Sequence, residues 1–265
     1  MIARYGPRAI ALGYLAVLLV LPVGFVFYRT FENGLAPVWD ALTNPEAVHA
    51  LYLTLIMVAI AVPANTIFGV IAALVIVRSK ARGRSVLNVL VDIPFAVSPV
   101  IVGLSLVLVY GRTGWLGETL GDQGIRVIFT PVGMALATIF VSLPFVVREV
   151  VPVLREVGDD QERAAETLGA SLWQTFWRVT LPAIRWGVAY GVVLTTARAL
   201  GEYGAVSVVS GKLVGETETL PLHVEQRFAQ FDLTSAYTSA FVLAGIALIV
   251  LLIMQMLKPK SEATG

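Results

Sequence analysis

The 265-residue sequence has no cysteine, only two histidines and little charge, with Lys, Arg, Asp and Glu together at 14%. Without cysteine there are no disulfides, no thiolate chemistry and no cysteine-ligated metal, and His49 and His223 alone do not build a zinc site. The charged share is well below the ~25% of soluble domains. A formal net charge of +1 leaves no basic field for DNA or RNA. No G-x-x-x-x-G-K-[ST] phosphate loop occurs: the nearest fragment, Ser210-Gly211-Lys212-Leu213, lacks the leading glycine and the hydroxyl that would reach magnesium. G-x-S-x-G and H-E-x-x-H are also missing, so no hydrolase centre can be assembled. These absences point away from an enzyme and call for neither cofactor nor metal.

What is abundant is apolar: 57% of the residues, with a mean hydropathy of +0.81, more than one soluble core can hide. The solvent this composition suits is lipid. A helix needs ~20 mostly apolar residues to cross ~30 Å of hydrocarbon. Spans are predicted at about 9–29, 51–77, 90–111, 127–149, 183–210 and 233–257, the fifth interrupted by Arg198 and Glu202. The chain therefore reads as one all-α polytopic membrane domain of six helices. The first run is too long for a signal-peptide core and leads into Arg29, Phe31 and Glu32, so it is expected to be retained. With six spans both termini share a side, which carries thirteen Lys/Arg against five on the other and is therefore predicted to be cytoplasmic. Arg78, Lys80, Arg82 and Arg84 read as part of this topology signal, with contact to anionic membrane lipid as the other reading.

A membrane protein of this design fits a channel, a secondary transporter or the permease part of a pump. The cytoplasmic segment at about 156–182 discriminates among them. Asp159 and Asp160 suit a helix start, acidic residues crowd the first turn, and Ala165, Leu168, Gly169 and Leu172 follow at i, i+3, i+4 and i+7 to make a small, apolar stripe. Trp173, Phe176, Trp177 and Val179 continue at helical spacing, and Leu181-Pro182 is expected to stop this helix and launch the next.

The run Glu162-Arg163-Ala164-Ala165, then Gly169-Ala170, then Leu181-Pro182 resembles the E-A-A-x-x-x-G…L-P loop of permease subunits of bacterial ATP-binding-cassette importers. Arg163 stands where the motif has Glu, and the adjacent Glu162 supplies the acidic group. From Arg185 through Gly211, with Gly215-Glu216-Thr217, Leu220-Pro221-Leu222 and Pro94 to Pro99, the chain is similar to sulfate/thiosulfate permeases of the CysW type over about residues 50–257. Molybdate/tungstate permeases share the Ala197-Arg198-Ala199-Leu200-Gly201-Glu202-Tyr203-Gly204-Ala205 core and form the rival reading. The resemblance implies a type I importer permease (MetI-like) fold in the bacterial inner membrane. It also implies a homologous second permease of the CysT/CysU type, two ATPase subunits docked on the 156–182 loop, and a periplasmic sulfate-binding protein. A non-ATP anion channel would explain a membrane arginine but not this loop.

Arg198 and Glu202 lie four apart on one helix face, where pairing lowers their cost in lipid. Two readings fit them: a buried pair that fixes packing, or a pair lining the translocation path or its gate. Thr195, Thr196, Ser207 and Ser210 offer hydroxyls to an anion, or bond their own i−4 carbonyls. Gly201, Gly204 and Gly187-x-x-x-Gly191 suit close helix approach. In the third span Pro94 and Pro99 flank Ser98, so a kink or break facing the bundle interior is expected, with Asp92 at the cytoplasmic edge. Residues 219–231 suggest a short amphipathic helix at the outer interface.

Overall fold

The computed structural model describes residues 12–80 and 82–257, and all of their regular structure is helical. Arg4, Arg8, Lys258 and Lys260, which enter the charge count above, lie outside the described residues. The chain runs through α1 (Leu12–Phe31), α2 (Leu35–Thr43), α3 (Pro45–Arg78), α4 (Arg84–Ala96), α5 (Pro99–Tyr110), α6 (Gly117–Asp122) and α7 (Pro131–Val157). It continues through α8 (Asp160–Thr167), α9 (172–200), α10 (Gly204–Val209), α11 (Leu220–Ala229) and α12 (Leu233–Leu257). By length and composition α1, α3, α7 and α12 are each able to cross a membrane, and α4 with α5 would supply a fifth span. Helix α9, carrying Arg185 and Arg198, falls outside that set.

Proline shapes several of these elements by different means. Asn44 caps α3, its side chain accepting the Glu46 N–H at 2.9 Å, with Pro45 in the first turn where a missing N–H costs nothing. Pro99 drives Ser98 into an extended conformation (ψ 135°), and the pair α4–α5 bends by 110°. Pro94, by contrast, sits inside α4. At Leu181-Pro182 the expected helix end is not there. Helix α9 runs unbroken from Leu172–Thr175 through a π-helical turn, Phe176–Thr180, into Leu181–Leu200. The wider turn lets Leu181 N–H reach the Phe176 carbonyl, so the ring of Pro182 is accommodated without a break. Helix α1 repeats the device, with a π turn at Ala16–Val20 just ahead of Pro22.

Two apolar clusters fill the bundle. One joins Leu53, Met57, Val102, Met134, Val206 and Leu222 toward the α11 end, and the other joins Val70, Ile76, Val91, Val146, Val150 and Ile184 toward the α8 end. Around Val146 three helices approach closely: a Cβ at Gly69 would fall 2.6 Å from Val146 Cβ, and one at Gly191 2.7 Å from Val146 Cα. In lipid, where burial of apolar surface no longer drives association, such backbone proximity is what packing rests on. At the α11 end the Leu220 N–H donates to Thr54 Oγ1 at 2.8 Å and Arg227 pairs with Glu46. Nearby, Lys212 donates to Glu225 Oε2 at 2.9 Å, a bond that raises the Lys212 pKa above its usual value against the opposing effect of burial.

Candidate translocation and coupling sites

Two interrupted helices meet inside the bundle. Helix α9 ends at Leu200, and after Gly201, Glu202 and Tyr203 the short α10 begins. A Cβ at Gly204 would lie 2.9 Å from Pro99 Cβ, and one at Gly103 2.7 Å from the Ala205 carbonyl, so this interruption packs against the α4–α5 break that holds Ser98. Irregular backbone at membrane depth persists only where protein or a cavity satisfies it. Here Glu202 does part of that work. Its Oε1 accepts the Ala205 N–H at 2.8 Å and its Oε2 pairs with Arg198 Nη1 at 2.6 Å. Glu202 is 2% exposed and Arg198 29%.

The other candidates differ in what their hydroxyls do. Thr195 is buried, and its Oγ1 has no hydrogen-bond partner, although it shares a helix face with Arg198 three residues on. Ser207 donates to the Gly204 carbonyl at 2.8 Å and Thr196 to the Val192 carbonyl at 2.8 Å, so both satisfy local backbone. Ser98 is exposed and stands at the N-terminus of α5. Gly187 and Gly204 pack against neighbours as expected, but Gly201 meets nothing closer than the Ala197 carbonyl at 3.8 Å and simply closes α9.

The 156–182 segment contains less loop than its sequence suggests, because α7 extends to Val157 and α9 begins at Leu172. Between them α8 stops at Gly169. Its φ of +87° permits the Gly169 N–H to bond the Glu166 carbonyl (2.9 Å) and the Ala170 N–H to bond the Ala165 carbonyl (3.0 Å). The expected stripe from Ala165 to Leu172 is therefore split between two helices. Asp159 does not cap α8 through its side chain; it pairs with Arg163 at 2.7 Å on the exposed face. Glu162 turns the other way. Its carboxylate accepts from Arg78 Nε at 2.8 Å and from Thr180 Oγ1 at 2.9 Å. Leu168 (88% exposed), Leu172 and Trp173 are left uncovered, while Ala164 is exposed and Ala165 and Ala170 half-buried.

The family profile described as "binding-protein-dependent transport system inner membrane component" matches residues 65–262, three-quarters of the chain. The chain belongs to this family. It is a multi-pass inner-membrane transport subunit and not an enzyme. A relative described as sulfate transport system permease protein CysW, from Synechococcus elongatus, is 51% identical over 252 residues, covering 95% of this chain and 88% of the relative. The Escherichia coli sulfate transport system permease protein CysT is 37% identical over 238 residues, covering 90% of this chain and 86% of its own length. The chain shares its fold with a permease in the crystal structure of a bacterial alginate ABC transporter in complex with an alginate pentasaccharide-bound periplasmic protein. That match has a TM-score of 0.79 at 19% identity, covering 99% of this chain and 96% of the other. The all-α importer-permease fold implied by the loop motif is the fold observed.

Sequence reasoning passed over two polar clusters of this permease. Arg148 Nε donates to Asp92 Oδ1 at 2.7 Å and Arg148 Nη1 to Asn88 Oδ1 at 3.0 Å, tying α7 to α4. Asn65, fully buried, donates to Ser142 Oγ at 2.8 Å. A lone Asn within a charge-free span was a visible signal for the second. The partners in the first are 56 residues apart, and no spacing rule joins them.

Proposed function

We propose that the chain is the membrane permease of an ATP-driven sulfate/thiosulfate importer, paired with a homologous second permease, two ATPase subunits and a periplasmic binding protein. The observation that carries this reading is the 51% identity across nearly the whole chain to a sulfate permease. The exposed α8 segment, with Leu168 just beyond it and Leu172 at the start of α9 both uncovered, supports a docking role for Glu162, Arg163, Ala164, Ala165, Gly169 and Ala170 against the ATPase. Six crossings with both termini and residues 78–84 on the cytoplasmic side complete the reading. In this reading α4 and α5, bent by 110°, form one broken crossing, and α9 is the crossing that hydropathy alone leaves out.

Substrate is moved by alternating access between the two permeases. The meeting of the α4–α5 break with the α9–α10 break is where the path narrows. The free N–H groups at the start of α5, with Ser98 beside them, and the partly exposed guanidinium of Arg198 suit a dianion. Thr195 adds an uncommitted hydroxyl, Glu202 orients Arg198, and Ser207 shapes α10 through its bond to Gly204. Uptake by the reconstituted complex with competing sulfate, thiosulfate and molybdate tests the substrate: strong competition by sulfate or thiosulfate is expected, and uptake blocked by molybdate alone would overturn the reading. Orientation is tested with Lys80→Cys in this cysteine-free chain, which is expected to resist impermeant thiol reagents added from the periplasmic side.

A further inference from the structure

One guanidinium and the carboxylate it holds tie four helices together at the α8 end. Arg78 is the last residue of α3, and in the sequence it reads as a topology charge or a contact for anionic lipid. Its Nε donates to Glu162 Oε2 at 2.8 Å, Nη1 to the Leu154 carbonyl at 3.1 Å, and Nη2 to the Gly158 carbonyl at 2.5 Å. The Leu154 carbonyl lies in the last turn of α7 and that of Gly158 just beyond it, where helix carbonyls lack intrahelical partners and the dipole favours a cation. Glu162, in the first turn of α8, carries the connection onward by accepting from Thr180 Oγ1 at 2.9 Å in the π turn of α9. Both charged groups are largely covered, at 22% and 17% side-chain exposure, so the pair is screened less than a surface ion pair. Planar, multidentate contacts of this kind need arginine, because a lysine ammonium is a single point that cannot reach two carbonyls and a carboxylate in fixed directions.

The two faces of α8 thus differ. Arg163, Ala164 and Glu166 are open to a partner, whereas Glu162 is committed inward. We infer that Arg78 is a positioning residue for energy coupling: with Glu162 and Thr180 it locks α8 to the ends of α3, α7 and α9, so that a displacement of α8 by the ATPase moves these helices as one body. This rests on the coupling role proposed above for α8, and adds the intramolecular step by which that displacement reaches the membrane.

The test uses the complete complex in liposomes with its binding protein, reading ATP hydrolysed per sulfate taken up. Arg78→Gln is expected to leave the ATPase subunits bound and hydrolysis near the parent rate while transport falls, raising the ratio about tenfold, within the usual range of coupling between sites. Arg78→Lys, keeping charge without the fork, and Thr180→Val, removing one bond, should each raise it by a smaller factor while yield and melting temperature stay near parent values. A purely structural cluster would lower yield or melting temperature and leave the ratio unchanged in whatever complex assembled. If Arg78→Gln does not assemble, Arg78→Lys and Thr180→Val decide. Parental ratios in both of these overturn the inference. Failure of the α8 docking role itself would look different: the parent complex would move sulfate independently of ATP, or an α8 face probed by cross-linking would not contact the ATPase.

Discussion

Glu162 and Glu202 are both carboxylates held by an arginine and a second donor, yet they organise different distances. Glu202 acts within its own stretch of chain, pairing with Arg198 four residues back and accepting the N–H of Ala205 three residues on. It makes one helix interruption self-sufficient. Glu162 reaches Arg78, 84 positions away, and Thr180, so it joins elements that are otherwise separate. The two carboxylates differ in cover, Glu202 at 2% exposure against 17% for Glu162, and in reach, the first pair being local and the second long-range. Burial governs how much stability such a pair holds, and connectivity governs how many elements its loss disturbs.

The largest expected effect on stability comes from Arg198→Met. It leaves a carboxylate that is 2% exposed without its cation, and removing one member of a buried pair costs about 3–5 kcal/mol. Glu202→Gln should be milder, since the amide oxygen still accepts from Ala205 and Arg198, 29% exposed, has a route to water. The combined variant should regain much of the loss from Arg198→Met, which a double-mutant cycle on detergent melting temperature would read. Equal losses in the two single variants would break the comparison, because they would mean the burial asymmetry carries no weight. Recovery of stability without recovery of transport would place Arg198 on the anion path.

Next in size is Arg78→Gln. The carboxylate it leaves behind is more exposed, 17% against 2%, and keeps its bond from Thr180, so the stability loss should be about 1 kcal/mol, well under that of Arg198→Met, while its effect on ATP hydrolysed per sulfate should exceed that of Glu202→Gln. Gly169 sharpens the α8 side further. Its φ of +87° is one that asparagine tolerates and branched side chains do not, so Gly169→Asn should be nearly silent and Gly169→Val should lose about 1 kcal/mol or more together with coupling. Normal coupling in Gly169→Val would mean that the stop after α8 is not needed for docking. The smallest effect is expected at Thr195. Its hydroxyl bonds nothing, so Thr195→Val should leave unfolding stability within about 0.5 kcal/mol of the parent, and any fall in sulfate uptake would then report on the path itself.

The parts legible from sequence were those governed by local rules. Long charge-free runs marked the apolar helices, the spacing of Arg198 and Glu202 marked a shared face, and Pro94 and Pro99, each removing a backbone donor on either side of Ser98, marked a kink or break. Reading proline as a helix boundary misled at Leu181-Pro182, where five residues of π geometry carried the helix past the proline; nothing in residues 176–180 announces that turn. The α8 motif was legible as a motif, but which way Glu162 faces was not. That depends on where α3 ends in space, and Arg78 offered only a positive charge at the end of an apolar run. Likewise Asp92 read as an edge residue, and its bond to Arg148 became visible only once α4 and α7 were packed together.

The most direct test of the account is a cross-link from α8 to the ATPase in the assembled complex. Leu168 is 88% exposed and stands beside Gly169, so a photoreactive residue there samples whatever docks on this face without entering the Arg78–Glu162 cluster. The account predicts a covalent product containing the ATPase subunit, with a yield that changes between nucleotide-free and ATP-bound complexes. A complex that retains its ATPase and transports sulfate, yet cross-links at Leu168 only to lipid or to the second permease, would contradict it.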